Sequence, residues 1–394
     1  MRIGVVGTGV FGLAAAIEAR TRGHEVTVFE RGEIPHPAAS STDVAKGIRR
    51  MWYASDNDTY VELAERAAVQ WRAWEDRSGE CFYHQVGSLR AVADFRAGSP
   101  MRASADFLLD RGAEIAVLSA DEAGQRFPQF RFAAGETCVF DPWAGYLESA
   151  RAIAVMAGIA RDGGCRVCTS TPVTSVEEQA SGVEVRFRDG RERFDRVVVA
   201  AGPWVGRLLP AVGAKVRITR QQMLLIEPPD RHAFSGDRLP VWMIDEGGEG
   251  WYGFPLLRCG YAKVARDRLG ETVDPDVERA GTEEFARDAL DFVRRRLPAL
   301  AAGTVVEGRS CLYTNTPDDH FLVDRVPGSE RIFVAGGGSG HGFKFGGALG
   351  PVIVDAVEDC PNPLGDRFRI GNRLTAARTP GTDHTRGFAQ PPPA

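Results

Sequence analysis

The sequence predicts a mixed α/β and α+β fold of two domains, and three stretches carry that prediction. At the N-terminus a β-branched run, Arg2-Ile-Gly-Val-Val, enters Gly7-Thr-Gly9-Val-Phe-Gly12; an Ala-rich helical segment follows to Thr21, and after Gly23 a second β-branched run ends at Glu30. Far downstream, Asp195-Arg-Val-Val-Val-Ala-Ala-Gly202 reads as a buried strand ending in a glycine turn, which would return the chain to the sheet begun at Arg2. Between residues 218 and 265, strands follow one another with turn residues and no helices between them, the pattern of an antiparallel sheet rather than of more βαβ units.

The first stretch has the order of a Rossmann-like dinucleotide site: strand, glycine turn, helix, strand, acid. Gly7 allows the tight turn, Gly9 lets a pyrophosphate approach the backbone, and Gly12 lets the helix pack close on the strand. The helix N-terminus then faces the phosphates, and Glu30 stands where an acid that binds ribose is expected. This motif alone does not choose between FAD and NAD.

Composition narrows the class. The chain has 394 residues, 43% hydrophobic, with a formal net charge of -5, enough for two domains with ample core. No basic stripe interleaved with aromatics points to nucleic acid, no apolar run has membrane-spanning length, and the first strand starts at Arg2, so a cytoplasmic location is expected. Cys165-Arg-Val-Cys168 lies in an apparent strand without a second pair, which favours core thiols over a metal or redox site; no metal is expected. Lysine is scarce against arginine: only Lys46, Lys215, Lys263 and Lys344 occur. A compact ammonium that must titrate or fit a small space is harder to replace than a surface charge, although codon bias explains the scarcity equally well.

Along the chain, residues 31–55 form a long loop containing Asp43-Val-Ala-Lys46-Gly-Ile-Arg49-Arg50, where Lys46 and Arg49 present a cationic face to a bound cofactor or else a solvated basic turn. Asn57 or Asp58 caps a helix through Trp74; Ser99-Pro100 starts another; Ser119-Ala-Asp-Glu122 has capping-box spacing. An Ala-rich helix runs from Tyr146 to Asp162, closed by Gly163-Gly164, and strands follow at 166–169, 173–177 and 183–188. In the antiparallel block, Trp242, Met243, Trp251, Tyr252 and Phe254 alternate, so one face lines an aromatic pocket or packs as core. Residues 282–296 form an amphipathic helix stopped by Pro298. The last block is a strand at 305–315, a turn and strand to Asp324, a strand at 331–335, and Gly336-Gly337-Gly-Ser-Gly340-His341-Gly-Phe-Lys344 opening a helix to about Glu358. A glycine-rich approach to a helix N-terminus suits negative charge. The tail from residue 384 to 394 is expected to be disordered.

Several of these motifs together resemble the monomeric sarcosine oxidase family among the D-amino-acid-oxidase-like flavoproteins. They are the N-terminal glycine motif, Gly253-Phe-Pro255 with Cys-Gly-Tyr-Ala-Lys263, Val273-Asp-Pro-Asp276, Ser310-Cys311-Leu-Tyr313 through Asp324, and Ser339-Gly-His341-Gly-Phe-Lys344-Phe. The resemblance implies FAD, bound covalently through Cys311, and a two-domain flavoprotein. Its FAD domain would take residues 1–80, 146–215 and 305–383, and its substrate domain 81–145 and 216–304. It further implies that Lys263 holds a water over the flavin and promotes reaction with oxygen, that Arg49 and Lys344 grip a substrate carboxylate, that Tyr313 and His341 lie beside the flavin, and that Lys46 replaces an arginine over its face. The segment Asp43-x-x-Lys46 is similar to the fructosyl amine oxidases, while Asp267 and Trp251 stand where sarcosine oxidases have a histidine and a tyrosine, so the pocket differs.

The expected function is FAD-dependent oxidation of the C–N bond of an α-amino acid with an N-alkyl or cyclic secondary nitrogen, giving an imine and, from oxygen, hydrogen peroxide. The partners are then a small amine and oxygen, with no nucleic acid or membrane, and the protein a monomer. Two alternatives stay open: a dehydrogenase or natural-product tailoring flavoenzyme of the same fold, and a non-catalytic flavin- or nucleotide-binding protein.

Overall fold

The N-terminal βαβ unit seeds a six-stranded sheet. The computed structural model describes residues 1–53, 58–371 and 373. Strands Arg2–Val6 and Glu25–Phe29 pair in parallel through the helix Val10–Thr21. Arg196–Val199 joins on the other side of Arg2–Val6, Ile332–Gly336 joins it in turn, and both pairings are parallel. Arg166–Cys168 and Leu322–Arg325 close the two edges. The helix Val10–Thr21 packs its alanines beneath this sheet against the helix Gly346–Glu358. Small residues set that spacing: a Cβ on Gly350 would lie 2.9 Å from the Ala14 carbonyl oxygen.

The second sheet has eight strands, in the order Thr304–Asn315, Arg217–Glu227, Ala262–Asp267, Glu249–Phe254, Val241–Glu246, Ser88–Val92, Thr137–Asp141 and Ala116–Ser119. It is antiparallel apart from the pairing of Val241–Glu246 with Ser88–Val92. The helix Glu283–Arg296 covers one face, where Trp242 and Trp251 stack on Phe292. Strand alternation sends the other set of residues, Met243, Tyr252, Lys263 and Asp267, to the opposite face, which is the wall of a cavity. Trp251 is therefore corrected from pocket to core: it pairs with Ile244 beneath the helix, while Tyr252 pairs with Met243 on the cavity side. One residue of phase decides the face.

Two further differences concern backbone pairing. Within residues 31–55 lies a strand, Lys46–Ile48, paired with Gly145–Leu147, which also pairs with Tyr83–His84. Tyr146 consequently belongs to a strand, and the Ala-rich helix starts at Ser149. The helix Asp58–Ser78 continues a turn past Trp74, and Gly190–Phe194 supplies a strand that the sequence reading lacks. Asn57 and the tail at 384–394 lie outside the described residues. The caps at Ser99 and Ser119 are as read: Ser99 accepts from the Arg102 amide, and Ser119 and Glu122 form a capping box; Thr282, read only as the start of a helix, is its N-cap and accepts from the Phe285 amide at 3.2 Å.

Trp71 joins this framework to the site. Fully buried, it donates from Nε1 to the Lys344 carbonyl at 2.8 Å and stacks on Phe343 with ring centroids 5.8 Å apart. Trp71→Ala is expected to destabilise the protein by about 3–5 kcal/mol in denaturant unfolding. Trp71→Phe, which keeps most of the packing and loses the hydrogen bond, is expected to cost about 1–2 kcal/mol.

Candidate active site and cofactor channel

Three cavities share walls and form one continuous track. The first, of about 280 Å³, lies over Gly7, Gly9 and Glu30. The second, of about 100 Å³, shares Gly9, Ser41 and Gly202 with it and reaches Gly337 and Gly340. The third, also about 100 Å³, shares Lys46, Tyr313 and Gly340 with the second and ends at Met243 and Asp267. A track running from a ribose-binding acid to a charged chamber has the extent of a dinucleotide followed by a substrate.

Local geometry fits FAD at the first two cavities. Gly7 has φ +105°, and a Cβ there would lie 2.5 Å from the Ala200 oxygen; a Cβ on Gly12 would lie 2.0 Å from the Gly7 oxygen. Glu30 is buried and fixed at the strand end: one carboxylate oxygen accepts from the Thr8 amide at 3.1 Å and the Thr8 hydroxyl at 2.6 Å, the other from the Gly32 amide at 3.2 Å. At the far end Gly340 has φ +82° and lies so close to Tyr313 that a Cβ would meet its ring at 2.4 Å. Side chains are thus absent where a flat ligand must pass between backbone and aromatic walls.

Where the track meets the third cavity, the buried Asp43 and Lys263 meet the half-buried Lys46. The Asp43 carboxylate takes a short hydrogen bond from the Lys263 ammonium and a 3.1 Å bond from Lys46 Nζ. Lys263 also donates to the Ala45 carbonyl at 3.1 Å. Burial alone would push the Asp43 carboxyl up, but Lys263 and then Lys46 outweigh it and hold it well below the usual carboxylate range. The group sits on the cavity wall through both lysines, and burial, partly offset by Asp43, lowers Lys263 below an ordinary lysine.

Across the chamber, the half-buried Arg49 and the buried Lys344 form a second pair of basic side chains. The Arg49 guanidinium packs on the Trp52 ring at 3.9 Å and donates to the Met51 carbonyl at 2.7 Å; Lys344 Nζ donates to the His341 carbonyl at 2.8 Å. Among the described residues neither forms an ion pair with a carboxylate within 4.0 Å. Burial, then the neighbouring Arg49, depresses Lys344 well below an ordinary lysine. His341 is likewise pushed well below its usual value, by burial and then Lys344. Its Nε2 lies 3.0 Å from the Asp319 carbonyl, which can only accept, so Nε2 carries the proton and Nδ1 accepts from the Tyr53 hydroxyl at 3.2 Å. His341 is a neutral fixture that aims the Lys344 segment.

Cys311 sits one strand step from Tyr313 but faces a separate void of about 10 Å³, with Asp43 and Arg279. Burial pushes its thiol up, and Lys46 pulls it back.

A family model described as FAD dependent oxidoreductase, DAO, matches residues 2–356. The chain belongs to this family of FAD-dependent oxidoreductases. The oxidoreductase is 28% identical over 371 residues to N-methyl-L-tryptophan oxidases of Yersinia pestis and Yersinia pseudotuberculosis, covering 91% of this chain and 95% of each relative. Its fold is that of NikD, an amino acid oxidase of nikkomycin biosynthesis (TM-score 0.80, 23% identity, 93% and 96% of the two chains covered). It is also that of the fructosamine oxidase Amadoriase II of Aspergillus fumigatus (TM-score 0.83, 22% identity, 99% and 94% covered). Among the described residues no helix is long and apolar enough to cross a membrane, and no group of three or more metal-ligating side chains occurs.

The oxidoreductase brings Lys46, Arg49, Met243, Lys263, Asp267, Tyr313, His341 and Lys344 to one chamber and Gly7, Gly9 and Glu30 to the far end of the track. Sequence reading treated Asp43 as part of a loop motif and missed that it joins both lysines. It also missed Trp52 and Tyr53, whose signal was an aromatic pair one residue beyond Arg49-Arg50, and Arg90, an arginine inside the otherwise uncharged, buried strand Ser88–Val92. A carboxylate bound against Lys344 would raise its depressed pKa, so the bound site holds more protons than the free one. Carboxylate affinity, read from flavin absorbance, is therefore expected to fall as pH rises, and Lys344→Arg, permanently charged, to flatten that slope.

Proposed function

We propose that this flavoprotein is an amine oxidase that converts an α-amino acid with a secondary, N-alkyl or cyclic, nitrogen to its imine, with oxygen as acceptor and hydrogen peroxide as second product. The observation that carries this reading is the pair Arg49 and Lys344: a half-buried guanidinium and a buried lysine facing a chamber with, among the described residues, no protein carboxylate on them. Buried charges are otherwise paired, so the missing partner is a carboxylate that arrives as ligand. The N-methyl amino acid named for the curated relatives carries such a carboxylate beside a secondary amine.

When bound, FAD supplies the two-electron acceptor. The protein's share is positioning and charge. Arg49 and Lys344 hold the carboxylate, which fixes the amino acid by one end. Tyr313 and Gly340 form a narrow passage between chamber and cofactor track, and the apolar wall of Met243, Tyr252 and Phe254 keeps water out. Lys263, clamped by Asp43, provides a fixed positive charge where negative charge would develop on oxygen during its reduction. Cys311 is the residue we assign to covalent attachment, supported by its place beside the lysine pair and by Leu312 and Tyr313, its strand neighbours, lining the track.

Anaerobic mixing with sarcosine, N-methyl amino acids, pipecolate, proline and fructosyl amino acids is the direct test: bleaching by one class, with peroxide on readmitting air, is expected. Bleaching by none would sink the amine-oxidase reading. Lys344→Met should raise KM for the active substrate about 10- to 100-fold, the loss of one charge-assisted contact to a carboxylate. FAD should remain with acid-precipitated wild type and be released from Cys311→Ser; free FAD from wild type would remove the covalent assignment.

A further inference from the structure

Asp267 is the acidic side chain that lines the chamber, and its neighbours leave it alone. Arg266 is committed to Glu249 and Asp288, each at 3.2 Å, and Arg268 to Glu249 at 2.7 Å. Arg90 is held by both oxygens of Asp245, at 2.9 and 2.8 Å. Among the described residues, no ion pair and no hydrogen bond reaches the Asp267 carboxylate. Asp267 nevertheless acts electrostatically on Arg49 and on Lys344, so it shares their chamber without touching either.

The strand explains its place. Lys263, Ala265 and Asp267 alternate onto one face of Ala262–Asp267, which puts Asp267 about 13 Å along the backbone from the lysine. Lys263 marks the end of the chamber that meets the track, and Asp267 marks the other. Arg49 and Lys344 lie within the field of Asp267, so a ligand held by its α-carboxylate is disfavoured if it brings a second negative charge to the Asp267 end.

We propose that Asp267 is a second anchor for the substrate, taking an ammonium or N–H donor on the side chain or N-substituent, remote from the α-carboxylate. The inference rests on the carboxylate role of Arg49 and Lys344 and narrows the substrate to amino acids that carry such a donor. Selection works in both directions: a donor gains a charge-assisted hydrogen bond, and an aliphatic chain covers the half-buried Asp267 carboxylate without satisfying it.

The holoenzyme and Asp267→Asn would be titrated with two series of unreactive carboxylates, following flavin absorbance. One series is γ-aminobutyrate, δ-aminovalerate and ε-aminocaproate; the other is butyrate, valerate and caproate, which lack the terminal ammonium. At least one amino compound is expected to bind wild type about tenfold more tightly than its matched fatty acid, the value of one charge-assisted contact, and to lose that preference in Asp267→Asn. Fatty-acid affinity should hold or rise in the variant, which also reports an intact site. Equal binding of the two series by wild type, or a preference that survives in Asp267→Asn, overturns the role of Asp267 and leaves the carboxylate reading standing. No flavin perturbation by either series overturns both.

Discussion

The buried Asp43 carboxylate is the point on which the two halves of the structure depend. Its own segment follows the dinucleotide-binding βαβ unit, Lys46 belongs to the small sheet with Gly145–Leu147, and Lys263 comes from the eight-stranded sheet. One carboxylate thus ties three parts of the structure together at the join between cofactor track and chamber. Breaking a buried pair by removing one partner typically costs about 3–5 kcal/mol, because the remaining charge is stranded away from water. The short side chain of Asp43 leaves no slack: the lysines must come to it, and the sheets come with them.

That clamp also sets the electrostatics of the chamber. Two ammonium groups share one carboxylate on the side facing the track, while Arg49 and Lys344 face the chamber without one. The positive excess is stored in side chains whose geometry is independently fixed: Arg49 by the Trp52 ring and the Met51 carbonyl, Lys344 by the His341 carbonyl, and that segment by Trp71 and by the Tyr53–His341–Asp319 chain. A site preorganised in this way attracts an anion and need not rearrange to hold it, which is how a protein directs chemistry performed by a cofactor.

Much of this was legible residue by residue. Gly7, Gly9 and Gly12 with Glu30 were legible from their spacing between two strands and a helix, although the close approach at Gly7 is to Ala200, far along the chain. Ser99 and Ser119 announced their helices because a cap is satisfied within one turn. Tyr146 and Trp251 misled for the same physical reason. Alanine-rich composition favours helix after Tyr146, but pairing with Gly47 and His84 overrode it; and the alternation around Trp251 was clear, whereas which phase faces the chamber depends on where the helix Glu283–Arg296 packs.

By itself the sequence determined the cofactor-binding unit, the two kinds of sheet and the short roster of lysines and arginines from which a site had to be drawn. Those features are local in chain distance, so periodicity, glycine spacing and caps encode them. Only the tertiary structure decided how the charges are shared: that Asp43 takes both Lys46 and Lys263, that Arg49 and Lys344 are left facing the chamber, and that Asp267 is passed over by Arg266 and Arg268. Charge pairing is a competition among groups far apart in the chain, and its outcome is settled by distances and burial that no linear spacing records.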